Sequence, residues 1–373
     1  MTRFSNAQIV LPDMVLRGGV EVDNGKISAI GDVAGGYDLE GDFLMPGIID
    51  LHTDNLERQT QPRANARWPS RSALIAHDAQ CISAGITTVF DAFCLGDIGF
   101  GRGRIQTFED GIVDLAACRS IEALRAEHFL HLRCELPSPD MPLLLARAID
   151  DTGVRLISLM DHSPGVSGQY SDLVRYRSMR RNEGLSEADI DSLVADLQDN
   201  HRAFHCANRA LVIGEAKSRD IPLASHDDAT VAEIARNAAE GIRISEFPVT
   251  LAAARAARTH GMQIIAGAPN IVRGGSHSGN VAVIDLLGQG MLDALASDYV
   301  PTAMLEAAFI ITSLCKASLP AAVGLITSGP AAIVGLNDRG RIELGLRADL
   351  VQVRAYNQMP VVRGVWRAGV RVG

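Results

Sequence analysis

Apolar and polar positions alternate along this chain in two regimes. Near both ends the period is two, with short runs at 7–11, 18–22 and 26–30, broken by Asp23-Asn24-Gly25, and again at 349–353 and 360–367. Such alternation predicts half-buried strands, and an Asn-Gly pair between two of them predicts a tight hairpin. Neither end carries enough strand to bury a core alone, so 1–46 and 338–373 are expected to combine into one small composite β-sandwich domain. Across 47–337 the pattern changes to apolar runs separated by amphipathic helical stretches, which predicts a parallel sheet with helical crossovers. Eight runs qualify as strands: 48–52, 87–93, 129–135, 155–161, 222–226, 243–247, 263–268 and 294–299. Eight strand–helix units predict an α/β fold of the TIM (β/α)8 barrel type. A doubly wound open sheet is the alternative, but no G-x-G-x-x-G follows the first strand to support it. An insertion at 163–208, rich in Arg, Ser and Asp, predicts a charged helical excursion over the barrel mouth.

In barrels of this kind the active site lies at the C-terminal ends of the strands. There the chain concentrates imidazoles and carboxylates: His52 and Asp54 after strand one, Glu135 on strand three, Asp161 and His162 on strand four, His226 with Asp227 and Asp228 on strand five, Glu246 on strand six and Asp298 on strand eight. His52 and Asp54 stand two apart, so a strand end aims both at one face. So many such groups at one mouth would repel one another unless cations neutralised them, which predicts a site for one or two divalent metal ions. Imidazole with carboxylate suits Zn²⁺, with Mn²⁺ or Fe²⁺ as alternatives. Two such ions can share a water, lower its pKa and clamp attacking and leaving oxygens, so the predicted chemistry is hydrolysis. The candidate ligands are His52, Asp54, Glu135, His162, His226, Glu246 and Asp298, and Asp298 is also the candidate general base.

Composition narrows the class. With 47% hydrophobic and 5% aromatic residues over 373 positions, the chain reads as globular. A formal net charge of -9 argues against a nucleic-acid partner, which would demand a basic surface. The first eight residues lack the apolar core of a secretion signal, and the apolar runs stop well short of a membrane span, so no membrane partner and a cytoplasmic location are expected. Six scattered cysteines with no C-x-x-C pair are expected to be reduced, buried small hydrophobes.

The chain also resembles the amidohydrolase superfamily. The resemblance rests on the run Pro-Gly-Ile-Ile-Asp-Leu-His at 46–52, Ala-Gly-Ile-Thr-Thr-Val at 84–89, and the stretches 327–336 and 340–351, and so covers nearly the whole chain. It implies a barrel with a metal centre and a β-sandwich built from both termini. It matches Glu135, His226 and Asp298 to the superfamily's glutamate on strand three, histidine on strand five and aspartate on strand eight. The usual H-x-H is here His52-x-Asp54, and Glu246 stands where a strand-six histidine is expected, which leaves the second ion's ligands open, His162 included. Runs at 52–57, 76–80, 131–135, 160–165 and 267–280 narrow the resemblance to a branch of phosphonate catabolism. That branch implies hydrolysis of a ribosyl triphosphate, a small phosphorylated sugar, to its 5-phosphate and pyrophosphate.

Such a substrate is polyanionic, and an acidic protein needs local cations and amide donors to hold it. Three lysines stand against 32 arginines. A codon bias would produce such a total, but placement informs, since the guanidinium fork matches phosphate oxygens. The loop after strand one carries Arg63 and Arg67, that after strand two Arg102 and Arg104 among glycines, and that after strand seven Arg273, two glycines, Ser276 and His277. These are the candidate substrate-binding residues, with the glycine amides as candidate anion nests. Two rival functions are a hydrolase of C–N bonds in cyclic amides or N-acyl compounds, which the arginine loops disfavour, and a catalytically silent scaffold, which the surviving ligands disfavour. Self-association into a homo-oligomer is left open.

Overall fold

The computed structural model describes residues 1–63, 66–96, 103–166, 168–276 and 279–373. The central sheet has eight parallel strands in sequence order: Ile48–Thr53, Ile86–Leu95, Glu127–Glu135, Val154–Met160, Leu223–His226, Ile244–Glu246, Gln263–Gly267 and Ala294–Ala296. They are called here strands one to eight. The sheet closes where strand one meets the residues just past strand eight. Asp298 donates its amide to the His52 carbonyl at 3.0 Å, and Asp54 donates its own to the Asp298 carbonyl at 2.6 Å. Ile49, Leu51, Phe90, Leu156, Ala224, Ile244, Ile265, Ala294 and Ala296 fill the interior as one cluster, so the barrel is a packed core with its chemistry confined to the mouth.

The expected strands all occur, but two stop early. Strand six ends before Phe247 and strand eight before Asp298, because those residues take φ of +54° and +56°. The left-handed backbone ends the regular strand and re-aims the side chain, while Asp298 keeps a single parallel bridge to Thr53.

The terminal segments combine as expected. Leu350–Tyr356 from the C-terminal part pairs antiparallel with Phe43–Pro46 from the N-terminal part, producing one eight-stranded mixed sheet. The sheet curls until Lys26 bridges Arg347, enclosing Phe4, Ile9, Val20, Leu350 and Trp366. Phe4 and Trp366 meet edge to face with centroids 4.9 Å apart. The predicted hairpin joins Val15–Asp23 to Lys26–Gly31, with Asn24 and Gly25 at φ +48° and +76°, the pair of positive values a type I′ turn requires.

The insertion is helical, with Leu173–Asn182 followed by Glu187–Ser218, the latter opened by a reciprocal Ser186–Asp189 capping box. The second helix runs ten residues beyond the expected insertion and serves as the crossover into strand five. Cys81, Cys94, Cys118 and Cys134 are buried as expected, whereas Cys206 and Cys315 are exposed, because each sits on the outward side of a surface helix. Among the described residues no helix is long and apolar enough to cross a membrane.

A buried polar network ties the helix Ser70–Ser83 to the outside of strands two and three. Asp91 receives His77 Nε2 at 2.7 Å on one oxygen and His128 Nδ1 at 2.8 Å on the other. His128 Nε2 lies 3.3 Å from Asp78, which also accepts the Ala126 amide, and Asn55 meets His77 Nδ1 at 2.9 Å.

Candidate metal centre

Six of the eight strand ends bring a functional group to the barrel mouth. His52, 1% exposed, lies with Nδ1 2.8 Å from Glu246 Oε1 on strand six and with Nε2 3.7 Å from Asp54 Oδ1. The other oxygen of Glu246 lies 3.8 Å from His226 Nε2 on strand five. His226 Nδ1 is 3.4 Å from Asp227 Oδ2, and that oxygen is 3.8 Å from His162 Nε2. Three groups result, each with ligand atoms within 4.8 Å of one another: His52, His226 and Glu246; His162, His226 and Asp227; His52, Asp54 and Asp298. His52 and His226 each belong to two of them, so the three form one connected constellation.

Glu135 stands behind this constellation. It accepts the His162 amide at 2.9 Å on Oε1 and meets His162 Nδ1 at 2.7 Å on Oε2. A proton held on Nδ1 leaves the Nε2 lone pair turned toward Asp227, the orientation a metal-binding imidazole needs. Among the described residues Glu135 belongs to none of the three groups. Arg133, two residues earlier on the same strand, donates from Nη1 to Asp54 Oδ1 at 2.6 Å.

The electrostatics show a surplus of negative charge. Burial opposes charge on His52, but the Glu246 and Asp54 carboxylates together outweigh it and push the imidazole up to about 10. Burial likewise opposes charge on Glu246, yet the surrounding imidazoles, His52 foremost, draw it down to about 2. Asp298 is pushed up to about 6 by burial and by the negative charge of Asp54. Asp54 itself, despite its burial, is held far below the ordinary carboxylate range by Arg133. Protons are recruited where cations would serve. Both ring nitrogens of His226, Oδ2 of Asp227 and Oε2 of Glu246 are buried and make no hydrogen bond to the described residues. Orphaned polar atoms are rare in protein interiors. Here all four are ligand-type atoms, so the residues present fit divalent cations.

Above this floor opens a cavity of about 320 Å³, walled in part by Tyr170, Phe247, Arg104, Arg273, Ser276 and Tyr299. Three expected substrate residues, Arg104, Arg273 and Ser276, therefore line it, and Arg104 also pairs with Glu57 at 3.3 Å. Arg67 is turned onto the helix Gly103–Ser120, meeting Asp110 at 3.0 Å and Thr107 at 3.2 Å, and Arg63 is exposed; neither lines the cavity. Arg102 and His277 lie outside the described residues. The expected glycine nest is used otherwise: the amides of Gly274 and Gly275 donate to Ile271 and Asn270, finishing the helix Ala268–Val272.

Asp227 is expected at the mouth from the sequence but not as a candidate ligand, and Arg133 has no expected role. Asp227 follows His226, and strand periodicity would send the two to opposite faces. Its φ of +56° returns it to the same face. Arg133 was legible in principle, since His131, Arg133 and Glu135 alternate on strand three and so share the inward face.

No family model matches the chain. It is 41% identical over 376 residues to the alpha-D-ribose 1-methylphosphonate 5-triphosphate diphosphatase of Escherichia coli (strain K12), covering 99% of each chain. Among solved structures it is similar to N-isopropylammelide isopropylaminohydrolase from Burkholderia multivorans ATCC 17616, with a TM-score of 0.65 and 16% identity over 100% of this chain and 98% of that one. An enamidase described as a member of the amidohydrolase superfamily superposes with a TM-score of 0.59 and 15% identity, over 100% of this chain and 95% of that one. At these identities the two structures speak for the fold alone.

Proposed function

Because the chain belongs to the family of alpha-D-ribose 1-methylphosphonate 5-triphosphate diphosphatase, we propose that it hydrolyses that triphosphate to the 5-phosphate and pyrophosphate at the barrel mouth. The observation that carries this reading is the pairing of two surfaces in one cavity. Orphaned imidazole and carboxylate atoms form its floor, and Arg104 and Arg273 stand on its wall. Guanidinium forks can grip the terminal phosphates while the α-phosphorus meets the floor.

His52, Asp54, His162, His226, Asp227, Glu246 and Asp298 are the residues that would hold divalent cations. Such cations, Zn²⁺ by the donor set with Mn²⁺ or Fe²⁺ as alternatives, supply Lewis-acid charge to phosphoryl oxygens and acidify water. The remaining roles fall to the chain itself. Asp298, grouped with His52 and Asp54 at the barrel mouth, is the carboxylate that accepts the proton of the attacking water. Glu135 fixes the tautomer and direction of His162. Arg133 fixes Asp54. Arg104 and Arg273 offset the charge that develops on departing pyrophosphate.

Incubating metal-loaded protein with a ribosyl 5-triphosphate and following the products by ³¹P NMR tests the reading. One pyrophosphate per sugar 5-phosphate is expected; orthophosphate alone, or an unchanged triphosphate alongside turnover of an amide substrate, contradicts it.

A further inference from the structure

The insertion helix Glu187–Ser218 lays one face along the end of strand four. Gln198, His201, His205 and Asn208 follow one another at spacings of three and four, which puts them on one side of the helix. The outer two are satisfied: Gln198 Nε2 donates to the Pro164 carbonyl at 3.0 Å, and Asn208 Nδ2 to the carbonyls of Leu136 and Ser138 at 2.8 and 2.9 Å. The inner two differ. His201 Nδ1 lies 2.8 Å and His205 Nδ1 3.0 Å from one and the same oxygen, Oδ2 of Asp161. Both nitrogens are buried, and neither is aligned for a regular hydrogen bond with a described residue. The other Asp161 oxygen accepts the Ser163 amide at 3.0 Å, which sets the rotation of the carboxylate and directs Oδ2 at the imidazoles.

We propose that Asp161, His201 and His205 form a second metal site, separate from the barrel-mouth constellation, which takes a Zn²⁺-class cation and fastens the insertion helix to strand four. The three ligand atoms lie within 4.8 Å of one another, and none of the three residues belongs to the barrel-mouth groups. Two imidazoles four apart on a helix, joined by a carboxylate from elsewhere, offer the N₂O donor set that Zn²⁺ accepts, with water in the fourth position. The Ser163 amide is the supporting partner that a ligating carboxylate requires. A path for the ion exists, because the His201 side chain is 25% exposed.

The buried His77–Asp91–His128 network shows what a purely hydrogen-bonded arrangement of the same three residue types looks like. There each imidazole has its own carboxylate oxygen and makes a hydrogen bond to it. At Asp161 both imidazoles converge on a single oxygen, an arrangement that a shared cation would satisfy. The consequence reaches the cavity through the chain: Asp161 immediately precedes His162, and the segment that follows supplies Tyr170 to the cavity wall.

The test is zinc stoichiometry. Protein stripped of metal, reloaded with excess Zn²⁺ and desalted is assayed by mass spectrometry as wild type, as His201→Gln/His205→Gln and as His226→Asn. The double variant is expected to hold one equivalent less than wild type, whereas His226→Asn keeps that equivalent and loses zinc from the barrel mouth. Equal zinc in the double variant and wild type overturns the proposal. Should the double variant fail to fold, His201→Gln alone, at the partly exposed position, is titrated against a chelating dye. Weakening of one zinc site by about tenfold or more supports the proposal, and a titration identical to wild type overturns it.

Discussion

Replacing His128 with Gln is expected to destabilise the protein far more in mild acid than in alkali. His128 is buried between Asp91 and Asp78 on the outer side of the barrel wall. Burial alone disfavours its charge, but the Asp91 and Asp78 carboxylates outweigh that and push it up to about 9, from 6.5 for the free imidazole. Each factor of ten in proton affinity is worth about 1.4 kcal/mol. The charged His128 therefore contributes on the order of 3 kcal/mol to folding. Because the folded value lies above the unfolded one, this contribution is complete below about pH 6.5 and disappears as pH rises through about 9. Asp91 is the other half of the same pair, held below its ordinary range, and its stabilisation is not counted again. Urea unfolding of wild type and His128→Gln, at roughly pH 5.5 and roughly pH 10 with metal content held constant, measures the effect. The cost of the substitution should shrink by about 3 kcal/mol between the two. An equal cost at both refutes the buried ion pair, and a larger cost at the higher pH refutes its sign.

Three further outcomes follow from the site. Asp298→Asn should lower kcat by roughly 10²–10⁴-fold while metal content is retained, as loss of a proton acceptor implies; activity near wild type removes its assigned role. Glu135→Gln should lower kcat about 10–100-fold through misdirected His162, with KM little changed, and a rise in KM at constant kcat would contradict the positioning role. Arg273→Ala should raise KM for the triphosphate by about tenfold or more, the worth of a charge-assisted hydrogen bond, whereas Arg67→Ala, already engaged with Asp110, should leave KM nearly unchanged. Equal effects from the two arginines would show that the cavity wall does not select the substrate's contacts.

The barrel was legible because its strands are apolar runs bounded by polar groups, and a fully buried strand needs little else to announce itself. Its ends were less so. Phe247 and Asp298 read as strand continuations, yet their left-handed backbones end the regular strand and re-aim the side chains. The imidazoles and carboxylates of the floor could be found because position at a strand end suffices to place them. What sequence spacing could not supply was pairing across the fold: Arg133 with Asp54, 79 residues apart, and Arg67 with Asp110, 43 apart. Charge count along a loop does not reveal whether an arginine faces substrate or a neighbouring helix. The glycines at 274–275 make the same point, since they read as an anion nest while their amides complete a helix end.

The central claim is that water attacks the α-phosphorus over the metal-binding floor and that pyrophosphate leaves intact. Turnover of the ribosyl 5-triphosphate in H₂¹⁸O, with both products analysed by mass spectrometry, tests it most directly. One ¹⁸O in the sugar 5-phosphate and none in pyrophosphate is the predicted result; label in pyrophosphate would place the attack on the β-phosphorus and contradict the account.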